Sequence, residues 1–182
     1  MHHMMLDLET KGTSPSSIIV SIGMVLFDPN DPHARMVKLP ALYPDRDQQQ
    51  AAGRTSDPST MTWWSEQSAA ARLCFEEPQE SVFTVIDRIR GVFDDTDGME
   101  IVGVWGNGAA FDNVILRSFF DSFGYVAPWM FWQDRCFRTL KQMPGAKGLA
   151  LPFEGVPHNA VDDAYNQALH LQAICRHFNL TF

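Results

Sequence analysis

Met5-Leu6-Asp7-Leu8-Glu9 sets two carboxylates two residues apart in an otherwise apolar run. On an extended strand alternate side chains share a face, so Asp7 and Glu9 project side by side while Leu6 and Leu8 point the other way. Neighbouring carboxylates repel unless a cation lies between them, and hard divalent ions such as Mg²⁺ and Mn²⁺ take oxygen ligands of this kind. Acid-x-acid pairs also arise by chance among 22 acids; Asp45-Arg46-Asp47 and Asp95-Thr96-Asp97 read as solvated turns. The first pair differs because an unpaired charge on an apolar strand is costly to bury.

Three further groups have chemistry to offer. Asp112 opens an amphipathic helix just after the turn Gly106-Asn107-Gly108, although an acid in a helix's first turn is commonplace for electrostatic reasons alone. His158 leaves the loop ending Gly155-Val156-Pro157, a position where histidine also serves as an exposed or capping residue. Asp162 and Asp163 follow at the start of the last helix, and their adjacency leaves open which one faces the other acids. Trp63 and Trp64 offer aromatic surface or core packing, and Arg135, Arg138 and Lys141 form a basic row that either tracks phosphates or lies solvated.

The elements that must position these groups follow from periodicity. Met4 to Glu9 reads as a strand, Ile18 to Phe27 as a central strand of nearly unbroken apolar character, and Met36 to Leu39 as a shorter third strand, together an antiparallel meander. Turns fall at Lys11-Gly12-Thr13-Ser14-Pro15 and Asp28-Pro29-Asn30-Asp31-Pro32, and residues 40 to 57 read as a long surface loop. Ser59 is placed to cap a helix through Trp63 and Trp64. Val82, Val85, Ile86, Ile89 and Phe93 give a crossover helix, Ile101 to Trp105 a short strand, and Phe111 to Phe123 a helix stopped by Gly124. An extended piece near Arg135 and Cys136, a brief helix and a Gly/Pro-rich loop from Pro144 to Pro157 precede the last helix, striped by Ala160, Ala164, Ala168, Leu171, Cys175 and Phe178. The order predicts one α/β domain over 1–182, a mixed sheet with antiparallel strands 1–3 followed by shorter parallel strands, flanked by helices.

Composition narrows the class. The 182 residues are enough to bury a core without disulfides, and no stretch approaches the ~18 apolar residues of a membrane span. Asp7 follows the initiator too closely for a signal peptide, which predicts a cytoplasmic protein away from membranes. His2-His3 reads as a tag remnant, a natural start or an adventitious metal site. Cys74, Cys136 and Cys175 form no C-x-x-C pair and read as buried thiols. A net charge of -8 argues against coating nucleic acid through a broad basic face, so such a partner has to be gripped locally. Two bound divalent cations would halve that charge and make the site attractive to phosphate.

Taken together, Leu6-Asp7-Leu8-Glu9-Thr10-Lys11-Gly12, Asn107-Gly108-Ala109-Ala110-Phe111-Asp112 and His158-Asn159-Ala160-Val161-Asp162-Asp163 resemble, in order, the motifs of the DEDDh 3′-5′ exonucleases of the ribonuclease H-like superfamily. Thr62-Trp63-Trp64-Ser65-Glu66-Gln67-Ser68, Val104-Trp105-Gly106-Asn107-Gly108 and Pro152-Phe153-Glu154-Gly155 look like a compact phage and bacterial branch, exodeoxyribonuclease A-like and mycobacterial exoribonuclease-like. One departure is an extra residue between Asn107 and Phe111 relative to the Asn-x-x-Phe-Asp spacing.

The resemblance implies a metal-dependent 3′-to-5′ exonuclease acting on the 3′ end of single-stranded nucleic acid, DNA first and RNA as the alternative, with release of nucleoside 5′-monophosphates. It implies two divalent cations, Mg²⁺ or Mn²⁺, on Asp7, Glu9, Asp112 and Asp163, the family spacing selecting Asp163 over Asp162. His158 is the implied base, a task suited to an imidazole of ordinary pKa about 6.5. Thr10, Asn107, Phe111 and Trp64 are the implied substrate contacts, with Trp63 a further ring on which a base can stack. The resemblance also admits a homodimer. A rival reading is a non-catalytic ribonuclease H-like binding module, against which stands the filling of all five positions.

Overall fold

A computed structural model of the chain describes residues 2–31, 33–94 and 100–182. The expected turn at Asp95-Thr96-Asp97 and the Pro32 end of the second turn lie outside the described residues. The sheet has five strands in the order β3-β2-β1-β4-β5. They are β1 (His2–Thr10), β2 (Ile19–Phe27), β3 (Val37–Lys38), β4 (Ile101–Gly106) and β5 (Asp134–Cys136). β1, β2 and β3 pair antiparallel, whereas β4 and β5 continue parallel to β1 on its other side. This is the predicted mixed sheet of the ribonuclease H-like fold.

Helices cover both faces. α1 (Arg46–Ala51), α2 (Pro58–Ser65) and α3 (Ala69–Arg72) follow the meander, then come α4 (Val82–Asp94), α5 (Asp112–Ser122), α6 (Phe137–Lys141) and α7 (Ala160–Phe178). Met4, Leu6 and Leu8 join α4 and α5 in one core, while Met5 joins α6 and α7 in a second. Strand alternation therefore turns Asp7 and Glu9 to the α7 side. Among the described residues no helix is long and apolar enough to cross a membrane.

Several local readings are corrected. Residues 40–57 are no simple surface loop. They contain α1, whose Gln49 is fully buried and bonds the backbone N and O of Ile19. Arg54, also buried, donates to Ser17 O at 2.6 Å. Polar composition concealed a segment whose polar side chains satisfy buried backbone. Asp45 is an N-cap, its carboxylate accepting from Gln48 N, so Asp45-Arg46-Asp47 opens a helix in place of the expected turn. Asp57 caps α2 in place of Ser59, with Pro58 in the first helical turn. His3 is buried in β1 and accepts from Trp105 Nε1 at 2.9 Å; burial lowers its pKa to about 4. Of the cysteines, Cys74 and Cys175 are buried and Cys136 is only partly so.

Candidate active site

The carboxyl ends of β1 and β4 lie in register, Leu6 opposite Gly106, and the site is assembled just beyond them. Asp7 and Glu9 come from β1, and Asp112 is the first residue of α5. Gly106 makes the approach of α5 feasible, since a Cβ there would lie 2.9 Å from Asp112 Cβ and 2.4 Å from Asn113 Oδ1. Asp112 Oδ1 accepts from Leu8 N at 3.3 Å, and Asp112 Oδ2 is buried without a partner.

α7 supplies the remaining acid. Gly23 pairs with Asp7 across the sheet, and a Cβ on it would come within 2.1 Å of the Ala160 backbone. This bare strand position lets the start of α7 settle over β2. Asn159 caps that helix, and His158 precedes it with φ at 65°, its backbone N donating to Asp163 Oδ2 at 2.7 Å. Asp162 turns aside: its carboxylate accepts from Val156 N at 3.0 Å and pairs with Lys38 at 3.2 Å. Structural geometry thus gives the two adjacent acids different jobs, with Asp163 toward Glu9.

A cavity of about 550 Å³ brings together all five predicted residues, Asp7, Glu9, Asp112, His158 and Asp163. Ligand atoms of Glu9, His158 and Asp163 lie within 4.8 Å of one another. Burial pushes Glu9 up to about 10, with the charges of Asp7, Asp163 and Asp112 adding to it. Asp7 is raised well above the usual carboxylate range by burial, then by Asp112 and Asp163. Burial also raises Asp112 to about 7 and moves Asp163 upward. Such a cluster retains protons unless cations replace them. Its oxygen-rich donor set and the orphaned Asp112 Oδ2 suit hard divalent ions.

The predicted contact residues Thr10, Asn107, Phe111 and Trp64 all line the same cavity. Thr10 is held by its hydroxyl on Gly12 O at 2.6 Å, and Asn107 Oδ1 is buried without a partner. Trp64 is 3% exposed, its indole donating to Thr10 O at 2.9 Å, so it braces the strand end as core. Trp63, 41% exposed, presents the free ring and meets His158 edge-on at 5.0 Å. The basic row divides: Arg135 sits on β5 and donates to Trp132 O and Asp134 O, while Arg138 on α6 lines the cavity. The sequence reading missed Gln167, which donates to Asp7 Oδ1 at 2.7 Å. Its signal was there, four residues beyond Asp163 and hence on the same helical face.

A ribonuclease H-like sheet with this set of acids and one histidine gathered beside its strand ends defines the DEDDh nuclease class. Solved structures share the fold. The nuclease domain of 3′hExo, a DEDDh family member bound to rAMP, superposes with a TM-score of 0.62 at 11% identity, over 97% of this chain and 92% of that one. Cell-death related nuclease 4 (CRN-4) gives 0.51 at 16% identity, over 98% of this chain and 64% of that one. No curated protein sequence matches the chain. The chain belongs to the 3′-5′ exoribonuclease Rv2179c-like domain family, whose model matches residues 2–175, and is a 3′-to-5′ exonuclease.

Proposed function

We propose that residues 1–182 form one exonuclease domain that removes nucleoside 5′-monophosphates from the 3′ end of single-stranded RNA, with single-stranded DNA as a second substrate. The observation that carries the reading is the convergence of Asp7, Glu9, Asp112, His158 and Asp163 on one open cavity. The exoribonuclease description of the family and a structural neighbour bound to rAMP favour RNA. The orphaned acceptor Asn107 Oδ1 suits a terminus rich in hydroxyl donors.

Asp7, Glu9 and Asp163 would hold one divalent cation, Mg²⁺ or Mn²⁺, with Asp7 shared with a second that Asp112 also serves. Bound there, the ions supply an activated water, a stabilised leaving 3′ oxygen and charge neutralisation on the scissile phosphate. His158 takes the proton from the attacking water, its ring steadied by the Trp63 edge. Trp63 and Phe111 offer surfaces for the terminal base, and Arg138 meets phosphate. Matched RNA and DNA strands of one sequence, incubated with Mn²⁺ in competition, test the sugar preference. Faster loss of RNA is expected, and faster loss of DNA would reverse the order proposed.

A further inference from the structure

We infer that Gln167 is a positioning residue that fixes the Asp7 carboxylate for cation binding, a role that rests on the nuclease reading of this cavity. Gln167 lies one helical turn beyond Asp163 on α7, so both side chains descend from one face onto β1. Its Nε2 donates to Asp7 Oδ1 at 2.7 Å. No other side-chain donor to Asp7 is found among the described residues. The ionised carboxylate that a cation requires presents only acceptors, so in that state the amide nitrogen is the end that faces Asp7. The carbonyl end is thereby turned away: Gln167 Oε1 is buried with no partner, and the residue lines the cavity.

This arrangement does two things that core packing would not require. It ties down one oxygen of Asp7, which leaves the other free for a cation and removes the carboxylate's rotational freedom. It also leaves Gln167 Oε1 buried without a protein partner in a residue that lines the cavity. Groups that hold a ligating side chain in this way typically matter by 10- to 100-fold in metal affinity.

The test is Mn²⁺ titration of the intact chain, without nucleic acid, followed by calorimetry and by the Mn²⁺-induced rise in Tm. Gln167→Met keeps the length and loses the polarity, whereas Gln167→Asn keeps the amide and loses the reach. Both are expected to weaken Mn²⁺ binding about tenfold or more. Turnover should recover toward that of the unaltered protein as Mn²⁺ is raised. The metal-free Tm is expected to hold for Gln167→Met, because an orphaned carbonyl leaves with the side chain. If that variant fails to fold, Gln167→Asn decides. Affinity within about twofold of the unaltered chain in either folded variant overturns the role. Unaltered protein that binds Mn²⁺ yet releases no nucleotide would instead sink the nuclease reading alone.

Discussion

His158 stands on left-handed backbone, φ 65°, a conformation an L-residue adopts at some cost and keeps only when its surroundings enforce it. The enforcement is visible in the Asp163 carboxylate on its N–H and the Trp63 edge on its ring. Replacing His158 with Ala should lower turnover by about 10² or more while Mn²⁺ binding persists, as read by single-turnover kinetics beside a metal titration. Normal turnover would remove His158 from the chemistry. Arg138 makes no side-chain hydrogen bond or ion pair among the described residues, and it lines the cavity. Arg138→Ala should therefore raise KM about tenfold with kcat nearly unchanged, the loss of about one charge-assisted contact. At this scale the sequence revealed much, since alternation alone set Asp7 and Glu9 on one face. Spacing put Gln167 on the face of Asp163 without revealing its bond to Asp7, and it did not separate Trp63 from Trp64, because neither hydrogen-bond partner nor exposure is written in spacing.

The elements bring those residues together through two close approaches that a side chain would block. Gly23 lies against the Ala160 backbone and Gly106 against Asp112 and Asn113. Gly23→Ala forces α7 off β2 and should cost about 1–3 kcal/mol, several degrees of Tm for a chain of this size, together with weaker Mn²⁺ binding. A variant with unchanged Tm would show that α7 does not depend on this contact. Strands and long helices were legible because their apolar periods are strong: β1, β2, α5 and α7 lie within a few residues of expectation. What stayed hidden was α1. Its Gln49, and Arg54 just beyond it, are buried and hydrogen-bond to backbone of the 15–19 segment, a tertiary reason that local polarity misreports. A glycine inside the apolar run of β2 was a usable sign of close backbone approach.

Across the whole molecule the net charge is -8, and four of its acids share one cavity. Burial raises Asp112 to about 7 and Glu9 to about 10, both above their unfolded values near 4. Protonated, these groups cost the folded state little. Above about pH 4 the unfolded chain ionises while the folded groups keep their protons, so metal-free protein loses stability from about pH 4 up to their folded values of about 7 and about 10. Divalent cations replace the protons, so Mn²⁺ should raise Tm more at pH 8 than at pH 5, measured by thermal melts with and without chelator. Equal rises at both pH values would mean that the acids are not what holds the ion. A net negative charge opposes a broad phosphate-binding face, which accords with the proposed grip at the cavity.

The most direct test of the account is a 5′-labelled single strand incubated with Mn²⁺ and either the unaltered chain or its Asp7→Asn variant. The account predicts a ladder shortening from the 3′ end, nucleoside 5′-monophosphate as product, and loss of both with chelator or with Asp7→Asn. Degradation by Asp7→Asn at the unaltered rate, or cleavage that proceeds without divalent metal, would contradict it.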